Sequence, residues 1–267
     1  NNKKEKIKMK NEANVVKKET AGALTSNMFE ADANAGSQNM AQDDLALPFL
    51  KVLGQLSPEI NKQHAKYVQG AEPGMILNSV TKELYDGAKG IDIIPSFYYR
   101  KFIEWRDRGE GIGAPVNIYA VNDPIVQTTK RDQFNRDRLP NGNYLENTAH
   151  HFVVVLGKVP STALVTMTRT QLKVSKTWNS LMMSIKMQGK NGLFTPPTFS
   201  HVYKLKSVQM TNDKGTWFGW DIAKVGPVSD TSVYGMSKDF ADKIGKGEIE
   251  VKHETDAVTQ DNSKSPY

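Results

Sequence analysis

The chain has 267 residues, no cysteine and a formal net charge of +6. The lack of cysteine excludes disulfides, thiolate metal sites and a cysteine nucleophile. A hydrophobic content of 38% predicts an ordinary core together with a fair amount of unpacked polar chain. The longest apolar runs, Phe152 to Leu156 and Leu181 to Met183, fall far short of the roughly 20 residues that cross a bilayer. No apolar segment follows the basic N-terminus, so neither a membrane span nor a secretory leader is expected.

Residues 1–42 lack periodicity, are rich in Asn, Lys, Ala, Glu and Ser, and predict a disordered polar tail in which Met9 offers an alternative start. Leu45 to Leu56 is a short apolar segment interrupted by Pro48. Met75 to Gly87 alternates short β-rich runs with polar turn residues and predicts a hairpin. Ile91 to Trp105 is a long strand candidate, with Phe97, Tyr99, Ile103 and Trp105 on one face and Tyr98, Arg100 and Phe102 on the other. A polar connection of about 40 residues follows, a length that in a compact domain marks a functional or mobile loop. His150 to Leu156 and Ala163 to Thr168 are β-branched runs joined by a Gly/Pro turn. Thr168-Arg-Thr-Gln171 has the spacing of a capping box, and Val174, Trp178, Leu181, Met182 and Ile185 repeat as one apolar helix face. Gly189, Gly192 and Pro196-Pro197 end that helix. Phe199 to Met210 and Thr216 to Val225 predict a hairpin around Asn212 to Gly215, and Val233 to Ile244 a closing helix. Residues 246–267 form a second polar, mildly acidic tail.

The resulting expectation is a mainly β domain over residues 43–245 with one or two helices: a five-stranded OB-fold-like barrel, its helix between the third and fourth strands, with an N-terminal hairpin extension. Residues 91–226 hold 18 Lys and Arg against 10 Asp and Glu, so the positive charge concentrates on the segment that folds. A single nucleic-acid strand needs cations along a groove and flat side chains on which bases stack. Tyr98, Arg100, Lys101, Tyr203, Lys204, Lys206 and Trp217 supply both on neighbouring strands, and Arg106, Arg108, Lys130 and Arg131 supply cations on the long loop. Phe97, Tyr99, Trp105, Phe218 and Trp220 are expected in the core, where strand aromatics usually lie.

Catalytic signals are poor. Arg108 to Gly113 is glycine-rich but lacks the Lys-Ser/Thr ending of a phosphate loop. His150 and His151 are adjacent in a strand and point to opposite faces, and His201 stands alone on an aromatic face. No carboxylate cluster suggests a metal nuclease, so no catalytic residue, metal or cofactor is expected.

The run Leu45-Ala-Leu-Pro-Phe-Leu-Lys-Val-Leu-Gly-Gln-Leu-Ser-Pro-Glu59, with Gly70-Ala-Glu-Pro-Gly-Met-Ile-Leu-Asn78 and Asn212-Asp-Lys-Gly-Thr-Trp-Phe-Gly-Trp220, resembles a family of proteins from marine tailed phages, over about residues 40 to 228. In function it resembles phage single-stranded DNA-binding proteins of the OB-fold type. That resemblance implies coating of DNA in replication and recombination in the cytoplasm of the infected host. It also implies an acidic tail with a terminal aromatic that recruits replication proteins. Tyr267 fits, as do Glu248, Glu250, Glu254, Asp256 and Asp261, whereas Lys246, Lys252 and Lys264 depart from the pattern. The remaining readings are a phage structural or assembly protein that associates with its own copies, and a recombination protein that anneals strands.

Overall fold

The computed structural model describes residues 26–40, 44–107, 109–110, 114–213 and 215–251. The chain divides into two units, residues 1–41 and 42–267. The described part of the first carries a short helix, α1 (Ser26–Ala31), inside the segment whose composition predicts a polar tail.

The second unit is mainly β. One sheet is built from β1 (Phe49–Val52), β2 (Ile76–Asn78), β3 (Leu84–Tyr85), β4 (Ile91–Trp105), β5 (Asn117–Ala120), β6 (Lys130–Arg131), β7 (Asp137–Arg138), β8 (Tyr144–Val155), β9 (Ser161–Thr168), β12 (His201–Asn212) and β13 (Gly215–Pro227). Its main path runs β13-β12-β4-β8-β9-β1-β2-β3; β5 pairs with the far end of β4, and β7, which carries β6, with that of β8. All pairings are antiparallel except the short parallel contact of β1 with β9. A separate hairpin, β10 (Met187–Gly189) and β11 (Gly192–Phe194), pairs only with itself. Two helices complete the unit: α2 (Leu172–Ser184) and α3 (Thr231–Gly245). Where the element order predicts five strands, the sheet has eleven. The N-terminal segment adds β1 to β3 at one edge, and the long connection is not a bare loop but supplies β5, β6 and β7.

The sheet curls into a half-barrel. The turns around β2 and β3 come back to β12 and β13, where the Ser207 backbone N–H donates to the Gly87 carbonyl at 2.9 Å. That approach requires glycine: a Cβ on Gly87 would lie 1.8 Å from the Gly74 carbonyl oxygen and 2.7 Å from Ser207 Cβ. Gly74, at φ +88°, is in turn covered by the Phe218 ring.

Both faces of the central strands are covered. On one, Ile93, Val153, Val155, Val165, Met167, Tyr203, Leu205 and Trp220 pack with Trp178 and Met182 of α2. On the other, Ile94, Phe152, Val154 and Leu164 pack with Val233, Phe240 and Ile244 of α3. The expected helix face is therefore the buried one, although Thr168 makes no side-chain cap bond and a 3-10 turn, Arg169–Gln171, precedes α2. Gln171 serves elsewhere: its side-chain carbonyl accepts the Trp220 backbone N–H at 2.8 Å, tying the start of α2 to β13. The Asp230 carboxylate accepts from the backbone N–H groups of Ser232 and Val233 and so fixes the start of α3.

His150 and His151 point to opposite faces, as alternation requires. His151 is buried between Tyr98, at a ring distance of 4.8 Å, and Trp178, at 4.3 Å, and its Nε2 lies 2.8 Å from Ser175 Oγ. Burial, with His150 beside it, lowers its pKa from 6.5 to about 3. The folded protein thus holds this imidazole neutral, while the unfolded chain takes up a proton below about pH 6.5. Its contribution is complete above pH 6.5 and is lost as pH falls from there toward 3, by about 1.4 kcal/mol per unit at most. Urea midpoints measured at pH 7 and pH 4.5 should therefore fall less in His151→Gln than in the wild type; equal falls would contradict the assignment.

Candidate nucleic-acid interface

The strands divide the expected binding residues between different places. Tyr203 is a core residue with no exposed surface: its ring meets Trp178 edge-on at 5.8 Å, and burial pushes its phenol up to about 12. It has no face to offer a base, because its strand alternation points it under α2. Tyr98 is half-buried on the same side, against His151. Arg100 and Lys101, being consecutive, take opposite faces of β4. Arg100 sits opposite Ala149, and the Lys101 ammonium lies 5.6 Å from the Tyr99 ring centre. Lys204 and Lys206 do share a face, opposite the buried Tyr203 and Leu205, but Lys204 is bonded to Asp92 at 2.7 Å and Lys206 sits across from Asp221. Trp217 is half-buried near the hairpin end. Of the core aromatics expected, Trp220 is buried, and Phe97 and Tyr99 pack against the α3 cluster.

The long connection is held by a carboxylate network. Glu104, buried at the end of β4, accepts hydrogen bonds from Tyr119 Oη at 2.6 Å, Asn143 Nδ2 at 2.6 Å and Asn141 Nδ2 at 2.9 Å. Burial alone would raise this carboxyl, but the hydrogen bonds from Asn143, Tyr119 and Asn141, with Arg106 nearby, together hold it below its ordinary value. Further out, Asp107 holds Arg136 and binds Arg138 at 2.9 and 3.0 Å, and Arg138 also reaches Asp132 at 2.9 Å. The Arg138 guanidinium holds the Asp107 carboxyl below the usual range. Arg131 binds Asp137 at 2.7 Å, whereas Arg106 and Lys130 are exposed on the loop surface. Arg108 lies outside the described residues.

This network shapes one wall of a cleft of about 590 Å³. Its floor is Leu145 to Asn147 of β8, a stretch that lies between the β7 pairing at Leu145 and the β9 pairing at Thr148. One wall is Arg131, Phe134 and Arg136; the other is Arg169, Thr170 and Leu172 at the start of α2. The Phe134 ring is 66% exposed, and the Arg136 guanidinium lies 5.7 Å from it and 5.1 Å from the Tyr144 ring. Arg169 binds Glu146 at 2.9 Å across the cleft. The Asn147 Oδ1 is buried with no hydrogen-bond partner among the described residues. Of the expected binding residues, the loop cation Arg131 alone lines this cleft among the described residues, and none of those read from strand alternation does.

Alternation also passes over a longer-range signal. Residues 147–212 contain Lys158, Arg169, Lys173, Lys176, Lys186, Lys190, Lys204 and Lys206 and not one Asp or Glu. Five of these are exposed on three successive elements of the chain. Arg169 stands at the cleft; Lys173 and Lys176 lie on the solvent face of α2 with Ser180 and Met183; Lys186 and Lys190 lie at the β10–β11 hairpin that follows the helix. At about 1.5 Å per residue, α2 separates the two ends by about 20 Å. The described residues contain no group of three His, Cys, Asp or Glu able to hold a metal ion, and no helix long and apolar enough to cross a membrane.

The Glu104 cluster positions the cleft wall, so Glu104→Leu should leave three donors without their acceptor, at about 1–3 kcal/mol for each that stays buried. A lower thermal midpoint and faster tryptic cleavage within residues 106–143 are the expected results, and unchanged cleavage would contradict the role. No curated protein and no solved structure matches this chain. A family model described as Pam3 phage gp34-like protein matches residues 16–250, most of the chain, and the protein belongs to that family.

Proposed function

We propose that the protein binds single-stranded DNA without chemistry of its own, along a track that starts in the cleft and follows α2. The observation that carries this reading is the acid-free stretch of residues 147–212, whose exposed Arg169, Lys173, Lys176, Lys186 and Lys190 follow one another through the 3-10 turn, α2 and the β10–β11 hairpin. A phosphate backbone laid on it meets cations that no acid interrupts in the sequence from 147 to 212, while the cleft carboxylates Glu146 and Asp137 are engaged by Arg169 and Arg131. At the cleft end, Phe134 and Tyr144 offer flat faces already backed by the Arg136 guanidinium, the combination on which unpaired bases stack.

The strand pairings support an OB-type reading of the core. A five-stranded closed barrel of β4, β8, β9, β12 and β13 needs five pairings. Four of them are present: β4 with β8, β8 with β9, β4 with β12, and β12 with β13. The fifth would join β9 to β13, and β1 lies at that opening, paired with β9. With α2 between β9 and β12, the element order is that of an OB-fold. Membership in a phage family agrees with a place in phage DNA replication or recombination inside the host cell.

A second reading, an assembly protein that packs against its own copies, is favoured by β5. Among the described residues this strand pairs only β4, and Val116, Ile118 and Val121 around it are exposed, leaving an apolar strand edge.

Fluorescence titration with oligo-dT in rising salt separates the two. The proposal expects micromolar or tighter binding whose log affinity falls linearly with log salt. Phe134→Ala and Tyr144→Ala should each weaken it by ~1–3 kcal/mol. Lys176→Ala should lower the salt slope by about one, while Lys204→Ala, whose ammonium is held by Asp92, should leave it unchanged. Absent binding at low salt, together with concentration-dependent self-association in sedimentation, would establish the assembly reading instead.

A further inference from the structure

The β10–β11 hairpin stands at the end of the track and has a composition that the track does not need. It is held in the chain between the last turn of α2 and Pro196-Pro197, and its three residue pairs are Met187 with Phe194, Gln188 with Leu193, and Gly189 with Gly192. Leu193 is 72% exposed and Phe194 is 46% exposed, with Met187 and, at the helix end, Met183 also open to solvent. Because Leu193 and Phe194 are consecutive in a strand, they project from opposite faces, so the hairpin is a blade with apolar groups on both sides. The Phe194 ring lies over Gly189, where a Cβ would come within 3.1 Å of it. That contact props the ring beside the turn. Lys186 bonds Thr195 Oγ1, and Lys190 occupies the turn itself.

We infer that this hairpin is a wedge that enters the base stack where a single strand joins a duplex, so that the protein's substrate includes such junctions and their end pairs are opened on binding. The inference rests on the single-strand reading above and extends it. A protein partner's interface pairs an apolar centre with a rim of both charges. In the chain this blade is flanked by Lys186 and carries Lys190 in its turn, within 66 residues without an acid. Nucleic acid matches both properties at once, with flat apolar bases for the blade and phosphates for the ammonium groups. Leu, Phe and Met are side chains that proteins insert between base steps, with unstacking offset by the new contacts. An end pair is the easiest to open, because it is stacked on one side only. Chain continuity supplies the arrangement: a strand lying on Lys173 and Lys176 is led by the helix to the blade, and the junction arrives where Leu193 and Phe194 project.

The test uses the full chain and a DNA hairpin with an oligo-dT tail, carrying 2-aminopurine in the base pair next to the tail. Binding of the wild type should raise the 2-aminopurine fluorescence, which reports loss of stacking. The double substitution Leu193→Ser, Phe194→Ser touches neither core cluster, so its thermal midpoint should match the wild type. It should retain the affinity for plain oligo-dT and lose most of the fluorescence rise. An unchanged rise in the variant, or no rise in a wild type that binds oligo-dT, would overturn the wedge while leaving the single-strand reading intact. A variant that changes from dimer to monomer in sedimentation would assign the blade to self-association and also overturn it. Failure of the wild type to bind oligo-dT would remove the reading on which the wedge rests.

Discussion

The covering of the central strands on both faces governs everything else in this molecule. β4, β8 and β9 are packed by α2 on one side and by α3 on the other. A sheet buried on both faces cannot present a stacking platform in its middle, however many aromatic and basic residues its strands carry. Cations on those strands must either find a carboxylate, as Lys204 finds Asp92, or lie beyond the helices. Both helices keep an exposed outer side, but α3 mixes Lys238 and Lys243 with Asp239 and Asp242, whereas α2 carries Lys173 and Lys176 and no acid, with the cleft before it and the hairpin after it.

Much of this architecture is legible in the sequence. The bounds of β4, the apolar face of α2, the β12–β13 hairpin and α3 follow from periodicity and turn residues. So do the opposite directions of His150 and His151 and the burial of Trp220. What single-strand alternation does not carry is which face of the sheet remains wet. Tyr203 shares a strand with Lys204 and Lys206 and is nonetheless in the core, because alternation only separates the two faces. The second cover becomes visible only when α3 is seen to pack on Ile94, Phe152 and Phe97. The long connection is equally opaque. Its β6–β7 hairpin is two residues a side, and Asp132, Asp137 and Asp107 organise it by gripping arginines, not by apolar pattern.

The same contacts explain why the candidate cleft is ordered in the free protein. Arg136 and Arg138 are held by Asp107, and Asp107 follows directly on β4, whose Glu104 gathers Tyr119, Asn141 and Asn143. The cleft wall is therefore fixed to the sheet by hydrogen bonds and ion pairs, with its rings half open. Pre-ordering of this kind lowers the entropy lost when a strand binds. Its ion pairs are partly exposed, so salt screens them only in part. The family relation is to a phage protein and says nothing of what the cleft binds.

The central claim is that α2, its two ends and the cleft beside it, not the middle of the sheet, meet the nucleic acid. Amide hydrogen exchange followed by mass spectrometry, with and without saturating oligo-dT, tests it directly. The account predicts slowed exchange in residues 130–147 and 169–195, with β4 through Tyr98 to Lys101 and β12 through Lys204 and Lys206 unchanged. Protection centred on β12 and β13, with α2 unaffected, would contradict it.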